Sequence, residues 1–475
     1  MFNRFKVKAV LMALLMAAIF TSDPFGLQSA SESHNETLVN RYLSPFVPDT
    51  FADQITVVLI DERFVANTQD IYPVPYSDLA RVLKNLNALK SGPIFFDILQ
   101  HYEHSPGLNR WLNRLRRSDA PVVMASSPKF DTDARLSDPN SLRHAIAGVS
   151  TLGAVSWDGV GYHYPLVWEE GGLVRTSAAL RLYRIWCQDN GRECEGDARF
   201  QEPMTVRWSN RHAPDQERIL NLSSQCQQSK GAAYRQSLSA IFGDLAQGLL
   251  SDDDTELSGR YPCPQILTIS AWELMEPGAL KDPELRNVIE NRVVMVGYDL
   301  EGLADRVLSP VNGNLPGVFQ HAVALENLML FGDQYWHKPS EFDGWGFGFF
   351  DVVSWFIEFL VLCWVFDYRM RYIEVQTELC HEERLSAALS GLKQALLFAL
   401  LTFGTAMLLS SQMGIGIVNL HILVLIVLLA LPTWCFYLVS ALRWTLLPDF
   451  SGGTCPDSTE MGGALTTSRQ GSDDD

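Results

Sequence analysis

The sequence lacks the concentration of positive charge that a nucleic-acid-binding surface needs. Its 475 residues carry 37 lysines and arginines against 55 aspartates and glutamates, which gives a net charge of -18 at pH 7. Binding to nucleic acid depends on clustered Lys and Arg side chains that neutralise phosphates. We therefore expect no nucleic-acid partner, and we take the negative charge as a sign of a soluble exterior rather than of any fold.

Catalytic and cofactor-binding motifs are also missing. Gly297 and Gly302 flank the segment YDLEG, which does not have the GxGxxG spacing of a dinucleotide-binding loop. The sequence contains no GxSxG, HExxH or protein-kinase motif set. It has no CxxC pair of the kind that many structural zinc sites use. We therefore predict that the chain is not an enzyme and expect neither a cofactor nor a bound metal.

What the sequence has instead is apolar residues in long blocks. Residues 1–30 combine Arg4, Lys6 and Lys8 with an apolar run, a pattern shared by signal peptides and signal anchors, and we favour an uncleaved transmembrane anchor. Residues 345–366, 394–410 and 415–440 are long enough to cross a bilayer as helices. Basic residues near the ends of these segments fall on one side, which predicts a cytoplasmic loop at 367–393 and a disordered cytoplasmic tail at 441–475.

Residues 31–340 are then predicted to form one extracytoplasmic domain. The β-branched runs at 55–60, 93–98 and 122–124 indicate buried strands, and a helix is predicted from Ser77, as its N-cap, to Leu89. Strand, helix and strand at this spacing favour a parallel pair. We expect an α/β domain with a mixed, largely parallel sheet and flanking helices, followed by α-helical transmembrane segments. Further strands and one helix are predicted at 148–155, 164–168, 177–186, 204–208 and 266–269, and residues 209–264 are predicted to be an insertion with a helix at 238–250.

The end of this domain is predicted to be a strand, a long loop and a helix. The apolar run 293–296 indicates a strand that closes at Gly297. Turn residues between 310 and 317 predict a loop, and apolar spacing predicts a helix over 318–330.

Four cysteines fall in the predicted extracytoplasmic domain, where an oxidising environment allows two disulfides in three possible pairings. Asn190 and Gly191 favour a chain reversal between the first two cysteines. We therefore prefer one bridge within 187–194 and a second within 226–263, and the alternative is four unpaired buried thiols. The four residues are Cys187, Cys194, Cys226 and Cys263.

Two aspartates mark a candidate ligand site. Asp61 and Asp97 lie at or near the carboxyl ends of predicted parallel strands, where open α/β sheets form their binding crevices. Two carboxylates there would bind a cation or an amine, whereas the simpler alternative is that each caps a local turn. Asp305 and His321 are predicted to join them, although a single histidine at a helix start is usually structural.

Three polar residues fall inside predicted membrane spans, where ionisable groups are costly and are functional candidates. Asp351 and Glu358 lie in the second span and His421 in the fourth. Asp351 has the alternative of an interfacial position. We predict that Glu358 faces the helix bundle or a partner helix and pairs with His421.

Several motifs together resemble the type-2 CHASE domain, an extracellular sensory domain of bacteria associated with cyclases and histidine kinases. They are ITVVLIDERF, YPVPYSDLARVLKNL, PIFFDILQ, NRVVMVGYDLEGLADRVLSP and PGVFQHAVALENLM, and the resemblance covers residues 50–335. It implies a sensor of the bacterial inner membrane with a large periplasmic domain that detects a small-molecule or envelope signal and works as a dimer in many relatives. The chain lacks the tryptophan and arginine common around the YPVPY position.

We predict no output domain after the last predicted span. We therefore expect the signal to pass to a separate cytoplasmic effector, with residues 367–393 as its contact. Two other functions stay open. One is an extracytoplasmic metal-dependent hydrolase that uses Asp61, Asp97 and His321, and the other is a structural subunit of a membrane complex.

Overall fold

The computed structural model describes residues 37–337, except 70–71, 157–162, 195, 212, 214, 217–231, 251–264 and 304, and isolated residues within 7–15 and 352–366. The chain divides into two compact units, and the larger comprises residues 32–346 with 409–417. No helix among the described residues is long and apolar enough to cross a bilayer. The predicted spans and the cytoplasmic segments lie wholly or largely outside the described residues and stay predictions.

Within the part of the chain that the structure describes, twelve strands form one large sheet and three small ones. The large sheet has the order β4-β3-β2-β10-β1-β9, and every neighbouring pair in it is parallel. The small sheets are the antiparallel pairs β5 with β8, β6 with β7 and β11 with β12. The strands are β1 Ile55–Asp61, β2 Ile94–Phe96, β3 Val122–Ser126, β4 Thr151–Ala154, β5 His163–Tyr164, β6 Val167–Glu170, β7 Leu173–Thr176, β8 Met204–Thr205, β9 Leu267–Ser270, β10 Val293–Asp299, β11 Arg306–Ser309 and β12 Gly313–Pro316.

Helices among the described residues accompany the strands, and the two that matter most for the site are α6 and α9. Ser177 caps α6 by accepting a hydrogen bond from the backbone N–H of Leu180, and Gly317 precedes α9. The helices are α1 Glu62–Thr68, α2 Tyr76–Ala88, α3 Leu108–Arg116, α4 Asp133–Ser137, α5 Leu142–Ala147, α6 Ala178–Asp189, α7 Ala233–Leu250, α8 Pro283–Asn287 and α9 Val318–Phe331.

The predicted α/β fold with a largely parallel sheet is confirmed, and the sheet lies between two helical layers. Along β1, Ile55 and Val57 pack into a core that includes α6 and α9. Val58 and Ile60 pack into the opposite core, which includes α2 and α3. Because both faces are covered, the central strands are apolar throughout rather than alternating.

Three local predictions are wrong. The strand predicted to close at Gly297 continues to Asp299, because β1 lies opposite it in register as far as Asp61. The long loop predicted after it contains the hairpin β11–β12. Helix α2 begins at Tyr76 after Pro75, and the hydroxyl of Ser77 donates to the Asp78 carboxylate instead of capping the helix.

The first predicted disulfide is confirmed. Cys187 and Cys194 are bonded, with their Cα atoms 6.0 Å apart. The bridge closes the end of α6 onto the turn that follows it. Cys226 and Cys263 lie outside the described residues, so the second predicted bridge stays a prediction.

Gly297 lets helix α9 approach strand β10 closely. A β-carbon at this position would lie 2.7 Å from Cβ and 2.8 Å from Cγ1 of Val318, the first residue of α9. We expect Gly297→Ala to lower the free energy of unfolding by ~1–3 kcal/mol, the usual cost of overpacking, measured by urea unfolding of the full chain.

The matched control is Gly243→Ala, because Gly243 is exposed on α7 with open space around its Cα. Adding Val318→Ala should restore part of the stability that Gly297→Ala removes. If the single variant is as stable as wild type, the close approach of β10 and α9 does not constrain the fold.

Candidate functional site

The parallel strands bring several acidic residues to one edge of the sheet. Asp61 ends β1, and Asp299 ends β10 directly opposite it in the strand register. Asp97 follows β2, and its backbone N–H donates to the carbonyl of Val296 on β10. Since the carboxyl ends of parallel strands are where α/β folds bind ligands, this acidic edge is the candidate site.

Asp61 has a local structural role. Its Oδ1 accepts hydrogen bonds from the backbone N–H of Phe64, at 2.9 Å, and from the hydroxyl of Ser270, at 2.8 Å. The first of these caps α1, and an N-cap aspartate stabilises a helix by ~0.5–2 kcal/mol. The contacts of Asp61 are therefore those of a helix-capping residue, which is the alternative that the sequence left open.

Asp97 and Asp305 form a pair of carboxylates at this edge. The Asp97 side chain is only 9% exposed. Burial, and then the negative charge of Asp305, raise its pKa well above the usual value. Burial also raises the pKa of Asp305, against the opposing effect of Arg306. Two neighbouring carboxyl groups of this kind do not ionise together as readily as isolated ones, so the pair favours a positively charged ligand or a shared proton.

Gly317 makes room for this pair at the start of α9. A β-carbon on Gly317 would overlap the carboxylate of Asp305, and the Gly317 N–H donates to the Asp305 carbonyl at 3.0 Å. The Asp305 carboxylate therefore lies beside Gly317, the residue that precedes α9.

His321, on α9, links the acidic pair to a buried tyrosine. The Tyr164 hydroxyl lies 2.6 Å from Nδ1 of His321 and accepts the N–H of Ala179 at 3.3 Å. A hydroxyl at this distance donates to Nδ1 or accepts from it, depending on which ring nitrogen carries the proton. Nε2 in turn lies 3.7 Å from Oδ2 of Asp97. Burial lowers the pKa of His321 to about 3, so the ring is neutral at ordinary pH.

Asp299 and Tyr164 belong to the site but were not predicted. Asp299 pairs with Arg306 at 2.9 Å, and burial raises its pKa while Arg306 lowers it. Its position opposite Asp61 follows from the register of β1 and β10, which the sequence does not display. The segment YDLEG places Asp299 shortly after the apolar run 293–296, and this position is the feature of the sequence that could have identified it.

The acidic edge provides carboxylate oxygens and a neutral imidazole. In the part of the chain that the structure describes, no group of three or more His, Cys, Asp or Glu side chains is placed to hold a metal ion. The carboxylates of Asp97 and Asp305 are the pair with the chemistry to bind an amine or cation. Asp351, Glu358 and His421, predicted as intramembrane polar residues, lie outside the described residues.

Comparison with known proteins gives one match. A family model described as the CHASE2 domain matches residues 10–366, which is most of the chain. No curated protein and no solved structure matches it significantly.

Proposed function

The chain belongs to the CHASE2 domain family, a family of extracellular sensory domains, and on that premise we propose that it is a membrane-anchored sensor of the bacterial inner membrane. The family match is the observation that carries the proposal. The α/β unit lies outside the cytoplasm and detects an envelope or external signal. The signal passes to a separate cytoplasmic effector through the predicted C-terminal transmembrane helices.

Helix α9 is the route by which the signal leaves the α/β unit in this proposal. Gly317, which precedes it, lies beside the Asp305 carboxylate, and His321 on the helix lies beside Asp97. The chain runs from α9 towards the predicted span at 345–366. A ligand that pairs with Asp97 and Asp305 would thus act on side chains that contact this helix.

The membrane topology rests on the distribution of basic residues. Alkaline phosphatase, which is active only outside the cytoplasm, is the reporter for the test. We expect fusions after residue 340 to be active and fusions within 367–393 or after residue 475 to be inactive. Activity of the loop fusion would overturn both the orientation and the proposed contact with a cytoplasmic effector.

Replacement of Asp97 by Asn should stabilise the protein and impair signalling. The variant removes from beside Asp305 a buried carboxyl group whose pKa is raised by folding. A raised pKa costs stability above the pKa of the unfolded chain, so we expect the free energy of unfolding at pH 7 to rise by about 1–2 kcal/mol, in the range typical when a functional site is neutralised. Urea unfolding of the full chain measures the change.

Asp119→Asn is the control for this prediction, because Asp119 is exposed in the turn between α3 and β3 and is not part of the pair. A fall in stability for Asp97→Asn would show that the ionised carboxylate supports the fold rather than a ligand site.

Titration calorimetry and metal analysis of the purified full chain separate the sensor from the other two functions. A sensor binds its signal without consuming it. A metal-dependent hydrolase would retain a divalent ion and turn substrate over, and a structural subunit would co-purify with one constant partner whatever small molecule is present. Retained metal with turnover, or a constant partner without any binding, would overturn the proposal.

A further inference from the structure

A second opening lies at the same edge of the sheet, beyond β3 and β4. It is a cavity of about 510 Å³ that opens to solvent, and its volume is within the range of small-molecule sites. Its polar lining includes Ser127, Lys129, Asp133, Ser156, Glu170 and Arg175. The residues of the acidic pair do not line it, so it is a separate site.

Two serines join the strand ends beneath this cavity. Ser127 follows β3 and Ser156 follows β4, and the Ser156 hydroxyl donates to the Ser127 hydroxyl at 2.6 Å. The N–H of Ser127 donates to Oδ2 of Asp131 at 3.0 Å. These hydrogen bonds fix the ends of β3 and β4 and do not involve the charged side chains that line the cavity.

Arg175 is the buried cation of this cavity and has no carboxylate partner within the described part of the chain. The residue is only 7% exposed. One guanidinium nitrogen, Nη2, donates to the carbonyl oxygen of Asp131 at 2.8 Å, while Nε makes no hydrogen bond. The nearby Asp131 carboxylate is already engaged by Arg143, at 2.5 and 2.8 Å. A buried guanidinium in this state is suited to a carboxylate brought by a ligand.

Acidic groups supply the complementary charge. Glu170 lines the cavity and accepts a hydrogen bond from the indole N–H of Trp168 at 3.0 Å, which orients its carboxylate. Asp133, in α4, also lines the cavity, and Lys129 adds a second positive charge. Two cations and two carboxylates around one cavity match a ligand that carries both signs of charge.

We propose that this cavity binds a small zwitterion of the amino-acid type, with its carboxylate on Arg175 and Lys129 and its ammonium on Glu170. This proposal names a class of signal for the proposed sensor. The binding itself does not depend on the sensor function, but the role of the ligand as a signal rests on it. The acidic pair at Asp97 and Asp305 is not required for it.

The test is titration calorimetry of the full chain with each of the twenty amino acids. We expect at least one amino acid to bind. Its amide lacks the carboxylate and its deaminated acid lacks the ammonium, and each should bind at least about tenfold more weakly. Arg175→Gln should weaken binding by at least about thirtyfold, the effect expected when one partner of a buried charge pair is truncated.

Arg135→Gln is the matched control, because Arg135 is an exposed arginine of α4 that does not line the cavity. Glu170→Gln provides a second variant if Arg175→Gln does not fold, and it should weaken the amino acid but leave the deaminated acid unchanged. If no amino acid binds wild type, or if Arg175→Gln and Glu170→Gln bind as wild type does, the proposal is wrong. Binding without any effect on signalling would support the cavity and count against the sensor function, so the two failures are distinguishable.

Discussion

Replacement of Arg143 by leucine is expected to lower the free energy of unfolding by about 3–5 kcal/mol, the cost of leaving a buried charge without its partner. Arg143 and Asp131 have side chains that are 1% and 0% exposed. The guanidinium also donates to the carbonyls of Ala125 and Gln100, at 2.9 and 3.2 Å. Its loss would therefore release three segments of chain, namely the end of β3, the segment after β2 and the turn before α4. Urea unfolding of the full chain, followed by tryptophan fluorescence, measures the effect.

Two further variants make this prediction specific. Arg110→Leu changes an exposed arginine of α3 and should alter stability by no more than about 0.5 kcal/mol. The double variant Arg143→Met with Asp131→Asn removes both charges and should be more stable than Arg143→Leu, because no unpaired carboxylate is then left buried. A loss below about 1 kcal/mol for Arg143→Leu would contradict a structural role for the ion pair.

Replacement of Glu326 by glutamine should remove a large part of the loss of stability that accompanies a rise in pH from 4.5 to 8. Glu326 is fully buried on α9, where the amide of Gln265 donates to one carboxyl oxygen. Burial is the main cause that raises its pKa from 4.5 to about 8, with a smaller contribution from Asp49. The unfolded chain ionises near 4.5 and the folded chain near 8. The stabilising effect is therefore fully present below pH 4.5 and is lost as the pH rises to 8.

Between pH 4.5 and 8.5, wild type should lose roughly 3–5 kcal/mol of unfolding free energy relative to Glu326→Gln, because each pKa unit corresponds to ~1.4 kcal/mol. His321 acts in the opposite sense. Its lowered pKa of about 3 costs stability as the pH falls below its ordinary value of 6.5, and it does so equally in both proteins. Glu284→Gln, at an exposed position of α8, is the control. A difference that stays flat with pH would show that Glu326 is not ionised at a cost in the folded chain.

The central strands could be predicted from the sequence because burial on both faces requires apolar residues along the whole strand. β1, β2, β3 and β10 are covered on both faces, so each is a continuous apolar run. Helix α1 was missed because it has only seven residues and follows β1 without an intervening turn signal. The insertion of β10 between β1 and β2 joins residues far apart in the chain, and no local pattern shows it.

The candidate site divides in the same way. Asp61 and Asp97 were predictable because strand ends can be located from the apolar runs. The contact of Tyr164 with His321 joins residues 157 positions apart, so periodicity has no bearing on it. Arg143 and Asp131 were missed for a different reason, since charged residues within a polar stretch usually lie at the surface, and these two are buried only because they pair.

Hydrogen exchange of α9 in the full chain, compared between wild type and Asp97→Asn, tests most directly whether a change at the acidic edge alters the stability of α9. We predict that the backbone amides of α9 exchange about 5–30-fold more slowly in the variant, the effect of a local gain of 1–2 kcal/mol, and that those of α2 on the opposite face slow less. Unchanged exchange in α9 would contradict the proposed route of the signal from the edge of the sheet to this helix.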